Sequence, residues 1–195
     1  MPRDSIGMWP FRNSKTARRE SVVRFALDAA TLAFGPYLAR GRLVRAMQSD
    51  AYVLGYVLAR LRGLTAYASA DARLPAEAGA LSELVLSTFF GPDAPDAVGR
   101  ADHIATGAER ERYLAGANDG QAQCDYLFGT REVREHPHYC AALQRERSAA
   151  AAMPGNAFNG SAAAIAHHLE HFTFAAYFER EHPLAAAAHA CPSAA

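Results

Sequence analysis

Residues 51–67 read Ala-Tyr-Val-Leu-Gly-Tyr-Val-Leu-Ala-Arg-Leu-Arg-Gly-Leu-Thr-Ala-Tyr. The apolar side chains of this stretch follow the i, i+3, i+4, i+7 spacing that places them on one face of an α-helix; they are Val53, Leu54, Val57, Leu58, Leu61 and Leu64. Ser49 or Asp50 can cap this helix, which we expect to run from Ala51 to about Tyr67. Gly55 lies inside it, where a residue without a side chain can admit the backbone of a neighbouring helix.

Helical patterns continue on both sides of this stretch. We expect further helices over about residues 14–34, 37–47, 75–90, 96–106, 108–128, 137–153 and 161–182. The pair Gly35-Pro36 is expected to stop the first of them, and residues 91–96 (Gly-Pro-Asp-Ala-Pro-Asp) to form a loop. No alternating polar and apolar run indicates a strand. The sequence therefore predicts an all-α fold, an irregular single-domain bundle of about six to eight helices.

The first of these helices is apolar on most sides. Between Val22 and Phe34, only Arg24, Asp28 and Thr31 form a narrow polar stripe. A helix of this kind is expected to be largely buried. The charges at Arg24, Asp28, Arg60 and Arg62 interrupt the apolar runs well before the roughly 20 residues that a membrane-spanning helix needs, so we expect no transmembrane segment.

The composition is that of an ordinary globular protein, since half of the 195 residues are apolar and 21 % are charged. Residues 1–13 are expected to form a flexible leader, residues 14–182 the helical domain, and residues 183–195 a disordered, low-complexity tail. A single lysine among 20 basic residues, together with abundant alanine, suggests a GC-rich bacterial genome. Three widely spaced cysteines and no secretory signal are typical of free thiols in a reducing compartment, so a cytoplasmic location is expected.

The formal net charge of zero conceals an asymmetry between the two parts of the chain. Residues 1–62 carry 11 basic and 4 acidic side chains, whereas residues 63–195 carry 9 basic and 16 acidic ones. A basic N-terminal surface could contact an acidic partner or an anionic lipid. Dedicated nucleic-acid binders usually have an overall basic excess, so we do not expect nucleic acid as a partner. The alternative interpretation is that the two parts face each other.

Residues 161–182 contain four of the eight histidines. At helical spacing His167 and His171 lie on one face and could both ligate a zinc or iron ion. The familiar zinc-peptidase motif has a glutamate directly after the first histidine, but His168 stands there, so no cofactor is the leading expectation. His171, Phe174 and Phe178 form an apolar, aromatic face, which we interpret as a surface for a ligand, a protein partner or a second copy of the chain.

The sequence contains no motif that supports a catalytic mechanism. The G-x-S-x-G elbow, the phosphate-binding G-x-x-x-x-G-K-[ST] loop and a G-x-G-x-x-G turn after a strand are all missing, so no catalytic residue is assigned and an enzyme is not favoured. The leading hypothesis is a small bacterial helical protein that acts as an interaction, regulatory or accessory module. The alternative is a metal- or small-ligand-binding protein, and possibly an enzyme, with a site around His167 and His171.

Overall fold

The fold is all-α, as the sequence predicts. The computed structural model describes residues 14–128 and 170–184, together with the single residues 144 and 148, and these described residues include no strand. The α-helices are α1 (Lys15–Leu38), α2 (Arg42–Ser49), α3 (Ala51–Asp71), α4 (Ala78–Phe90), α5 (Ala94–Ala105), α6 (Arg110–Leu127) and α7 (Ala176–Glu181). The chain divides into two compact units, Met1–Glu132 and Val133–Ala195, so α1–α6 belong to the first unit and α7 to the second. The division predicted from the sequence stays a prediction.

Helix α3 is the centre of the first unit and contacts α1, α2, α4, α5 and α6. Every residue from 51 to 58 is buried, so this part of the helix is covered on all sides. The carboxylate of Asp50 accepts a hydrogen bond from the backbone N–H of Tyr52 at 2.9 Å, which satisfies one of the free donors of the first turn. Of the two candidate caps, Asp50 is the one used, and the helix extends beyond Tyr67 to Asp71.

Helices α3 and α6 pack in parallel with their backbones in contact. A Cβ atom added at Gly116 would lie 2.0 Å from the carbonyl oxygen of Tyr52, and one at Gly120 would lie 2.4 Å from that of Tyr56. Both pairs advance by one helical turn in the same direction, which makes the two helices parallel. On α3, a Cβ added at Gly55 would lie 2.1 Å from a carbonyl oxygen of α6. The prediction that Gly55 admits a neighbouring backbone is confirmed.

Helix α1 differs from its prediction in two respects. It passes through Gly35 and Pro36 and ends at Leu38, because a proline so near the C-terminal end removes only one of the last hydrogen bonds of the helix. It is also less buried than predicted. Its buried residues form one stripe at successive turns, which consists of Val22, Ala26, Ala30, Phe34 and Tyr37, while Leu32 is 83 % exposed. Only this stripe is fully buried, so the prediction of a largely buried helix is wrong.

The connection between α1 and α2 is a short 3₁₀ turn, Ala39–Gly41, with two residues in the left-handed region. Arg40 has φ 55° and Gly41 has φ 68°. This left-handed pair breaks the helical path, so α2 begins at Arg42 and not at Tyr37 as predicted.

The segment around α4 contains more helix than predicted. A 3₁₀ turn, Pro75–Glu77, precedes α4, which ends at Phe90 as expected. The predicted loop 91–96 is instead a 3₁₀ turn, Gly91–Asp93, followed directly by the first turn of α5. The prolines in this segment stand in first turns, where their missing N–H costs nothing, so they begin helical structure rather than interrupt it.

In the second unit, Glu170 is helical and is followed by a π-helical turn, His171–Ala175, and by α7, which ends two residues before Pro183. The described part of the predicted helix 161–182 is therefore helical. The predicted leader, residues 1–13, and the tail beyond residue 184 lie outside the described residues, as does the predicted helix 137–153 apart from residues 144 and 148.

Candidate functional site

A groove of about 420 Å³ lies between the C-terminal halves of α3 and α6. Helix α3 contributes Gly63, Ala66 and Ala70 to its lining, α6 contributes Cys124, and Phe128 follows directly after α6. The volume falls within the range of small-molecule sites, roughly 300–1,000 Å³. The small residues of α3 leave this space open because none has a side chain longer than a methyl group. We call this feature the α3–α6 groove.

Two stacked aromatic rings form part of the lining of the α3–α6 groove. The rings of Tyr67 and Phe128 lie 3.6 Å apart between centroids and are inclined by only 7°. Phe25 of α1 packs against both, with its ring centroid 6.5 Å from Tyr67 and 6.3 Å from Phe128. Tyr67 and Phe25 also line a second cavity, of about 120 Å³, between α1 and α3. The groove therefore has an aromatic wall that a third helix supports.

The thiol of Cys124 belongs to the lining of the same groove. Cys124 is buried, it forms no disulfide, and its Sγ donates a hydrogen bond to the carbonyl oxygen of Arg60 at 3.4 Å. A Cβ atom at Gly63 would lie 2.8 Å from this sulfur, so the glycine makes room for the thiol. The expectation of reduced thiols in a reducing compartment stays a prediction.

Three polar side chains also line the groove, and they differ in how they are paired. The amide nitrogen of Gln121 donates a hydrogen bond to the carboxylate of Asp125 at 2.9 Å. Arg62 is exposed and forms no hydrogen bond or ion pair with the described residues. Among the described lining residues, Arg62 therefore has the polar group with which an acidic ligand can pair. The sequence alone does not identify Arg62, Tyr67 or Phe128 as site residues, because only the parallel pairing of α3 and α6 brings them together.

A second surface of the first unit is an apolar ridge on α1. Phe25, Ala29, Leu32 and Pro36 follow one another at i, i+4, i+7 and i+11, which places them in one line along the helix. Phe25 is 40 % exposed and Leu32 is 83 % exposed. Residues 29–38 include no charged side chain. We call the line formed by these four residues the α1 ridge.

The same part of the chain is long and apolar enough to be a candidate membrane span. By length and composition alone, the helical stretch Lys15–Ser49 could cross a membrane, and 28 % of its most apolar window is buried. A core helix of a soluble protein can have the same length and composition. The left-handed residues Arg40 and Gly41 divide the stretch into α1 and α2, so it is not one continuous rod. The expectation of no transmembrane segment stays a prediction.

Part of the basic N-terminal surface is paired within the first unit. The carboxylate of Glu77 lies 2.6 Å from the ammonium of Lys15 and also accepts a hydrogen bond from Arg19. These two cations hold the pKa of Glu77 below its ordinary value, with the Lys15 contact as the larger cause. Arg18 donates to the carbonyl oxygen of Ala72. One acidic residue further along the chain, Glu77, thus faces two of these basic groups, and the interpretation that the two parts of the chain face each other stays a prediction.

The residues predicted as a partner surface lie in the second unit. His171 and Phe174 belong to the π-helical turn, and Phe178 follows in α7. Phe174 and Phe178 are fully buried, with ring centroids 5.5 Å apart, and the ring of Phe178 lies 5.3 Å from that of His182. The two phenylalanines would have to be uncovered before a partner could contact them. Their role as a contact surface, together with His171, stays a prediction.

The predicted metal ligands are only partly covered by the structure. His167 lies outside the described residues, and of His171 only the backbone is described. Among the residues that the structure describes, no group of three or more histidine, cysteine, aspartate or glutamate side chains could hold a metal ion. Zinc or iron at His167 and His171 stays a prediction.

The chain was compared with known proteins in three ways. No protein-family model matches it, and neither a curated protein nor a solved structure matches it.

Proposed function

We propose that this protein is a helical interaction module that associates with another helix through the α1 ridge. The observation that carries the proposal is the exposure of apolar residues at coiled-coil-like spacing, with Leu32 at 83 %. A single exposed leucine is ordinary, but Phe25, Ala29, Leu32 and Pro36 form a continuous line. Amphipathic helices meet their partners through apolar side chains at these intervals.

The simplest partner is α1 of a second copy of the chain. An interface between two copies about a two-fold axis uses the same surface on each, so the surface must be compatible with itself. The part of the α1 ridge from Ala29 to Pro36 meets this condition because residues 29–38 carry no charge that would repel its copy, and the two charges beside Phe25, those of Arg24 and Asp28, are opposite in sign. The hydroxyl of Thr31, beside the ridge, donates to the carbonyl oxygen of Leu27 at 2.8 Å and therefore needs no partner across the interface.

Size-exclusion chromatography with light scattering over a concentration series tests this proposal. We expect the wild-type chain to form a dimer, and Leu32→Asp to shift it to the monomer because the substitution places a charge in the apolar contact. Leu114→Asp is the matched control, since Leu114 is 39 % exposed on α6 and lies outside the ridge. A wild-type monomer at every concentration refutes the proposal, as does equal dissociation by both substitutions. Binding of a monomer to anionic vesicles, abolished by Leu32→Asp, would instead identify a bilayer as the partner of the ridge.

The second proposed function is metal or small-ligand binding around His167 and His171. The π-helical turn His171–Ala175 favours it, because such turns occur frequently at functional sites. Elemental analysis of protein purified without a chelator or an affinity tag tests the metal version. Stoichiometric zinc or iron that is lost in a His171→Ala variant is the expected result, and its absence refutes this version.

A further inference from the structure

We propose that the α3–α6 groove binds a planar aromatic anion, a small molecule with fused or linked rings and one acidic group. This site belongs to the first unit and is separate from the histidine site; it shares with the α1 ridge only Phe25, which packs behind its aromatic wall. The proposal depends on three properties of the groove: its size, its aromatic wall and the guanidinium of Arg62, which pairs with none of the described residues.

The size of the groove suits a small molecule. Its volume of about 420 Å³ can hold two or three rings, and the lining residues Gly63, Ala66 and Ala70 leave the wall of α3 flat. The glycine contacts between α3 and α6 also hold the two walls at a fixed separation, since the backbones touch at Gly55, Gly116 and Gly120. A ligand therefore meets a groove that is already formed, and binding requires little ordering of the protein.

The aromatic wall favours a ligand that is itself aromatic. The rings of Tyr67 and Phe128 are nearly parallel, and Phe25 packs against both of them. Tyr67 remains 40 % exposed, so part of the stack is accessible. Aromatic rings prefer offset-stacked or edge-to-face contacts with such a surface, and these contacts add to the gain from burying apolar area.

The described lining carries one cation, Arg62, and one carboxylate, Asp125, so its formal charges cancel, and only the local contact with Arg62 can favour an acidic group on the ligand. The carboxylate of Asp125 already accepts a hydrogen bond from Gln121, whereas Arg62 pairs with none of the described residues. A guanidinium binds a carboxylate or a sulfonate through two parallel hydrogen bonds, which orients a planar acid along the groove.

Fluorescence titration with two dyes tests the proposal in the full-length chain. Anilinonaphthalene sulfonate is a planar aromatic anion, and phenylnaphthylamine is its uncharged relative. We expect both to bind, and Ala66→Phe to weaken both at least tenfold because the new ring fills the groove (Ala70→Phe repeats the test with a second filling variant). Arg62→Gln is expected to weaken the sulfonate about two- to fivefold and to leave the uncharged dye unchanged, since an exposed charge pair is worth this much.

Matched variants outside the groove separate the site from general dye binding. Ala80→Phe adds a ring to an exposed position of α4, and Arg24→Gln removes an exposed cation from α1. Neither is expected to change the affinity for either dye. The naphthalene dyes also bind loosely packed chains, so near-ultraviolet circular dichroism is recorded for every variant. The proposal is overturned if the wild type binds neither dye, if both filling variants bind as tightly as the wild type, or if Arg62→Gln affects the two dyes equally.

Discussion

The contact between α3 and α6 predicts a large penalty for adding one methyl group at Gly116. In Gly116→Ala the new Cβ would lie 2.0 Å from the carbonyl oxygen and 2.8 Å from the carbonyl carbon of Tyr52. An ordinary carbon–oxygen contact is about 3.3–3.6 Å, so the two backbones must separate locally by roughly 1.3–1.6 Å. Because the opposing atoms are backbone, no side-chain rotation can relieve the clash.

The free energy of unfolding should fall by about 2 kcal/mol. Overpacking of a close contact costs about 1–3 kcal/mol, and a backbone-to-backbone clash belongs at the upper end of this range. Alanine recovers about 0.5–1 kcal/mol of this because it restricts the unfolded chain more than glycine does. For a chain of this length the net loss corresponds to a decrease in Tm of about 4–8 °C.

Urea denaturation followed by far-ultraviolet circular dichroism measures this effect. Gly99→Ala is the matched control, because Gly99 lies in the middle of α5 and a Cβ there would have nothing within 4 Å. The control should gain about 0.5–1 kcal/mol, so the two substitutions should differ by about 3 kcal/mol. Gly120→Ala should lower the free energy of unfolding less when it is added to Gly116→Ala than when it is made alone, since Gly116→Ala has already separated the helices. Equal stability of Gly116→Ala and Gly99→Ala would refute the close packing of α3 and α6.

Three further substitutions test local features of the first unit. Ser69→Ala should stabilise the protein by about 1 kcal/mol, because the fully buried hydroxyl has no hydrogen-bond partner in the described part of the chain. The control Thr65→Val removes a buried hydroxyl that is bonded to the carbonyl of Leu61 at 2.8 Å, so it should give no gain in stability. Equal increases of Tm for the two variants would contradict this reasoning. Arg73→Gly should stabilise the protein by about 0.5–1 kcal/mol, since Arg73, just after α3, has φ 59°, a left-handed conformation that glycine adopts more easily than arginine. A lower Tm for the variant would show that the arginine side chain contributes more stability than its backbone conformation costs. Glu77→Gln should lower stability at neutral pH. A carboxyl whose pKa is lowered on folding stabilises the protein above its ordinary pKa of 4.5 and loses this effect as the pH falls through the lowered value. The stabilities of the wild type and the variant should therefore become equal in acid. A difference in stability that does not depend on pH would exclude the ion pairs with Lys15 and Arg19 as its cause.

Local patterns were sufficient to predict most of the helices. The apolar spacing in residues 51–67 identified α3, and Asp50 was one of two residues named as its cap. The failures concern features that depend on neighbours. Helix α1 is apolar on most sides, yet only the stripe that faces other helices is buried, and no property of its own sequence determines which stripe that is. Residues 91–96 contain glycine and two prolines, which are typical of loops but are equally suited to the first turns of helices.

The glycines of α6 show why the candidate site could not be predicted. Glycine lowers the stability of an isolated helix, so from the sequence alone Gly116 and Gly120 are expected only to weaken α6. The structure shows what they contribute: each lies against a backbone carbonyl of α3, that of Tyr52 or Tyr56, and these carbonyls repeat at the same interval of one helical turn. The close approach that these glycines permit also sets the separation of the walls of the α3–α6 groove further along the same two helices. Stability and ligand binding are therefore coupled through one contact, and a substitution such as Gly116→Ala that separates the helices should change the affinity of the groove for an aromatic anion as well.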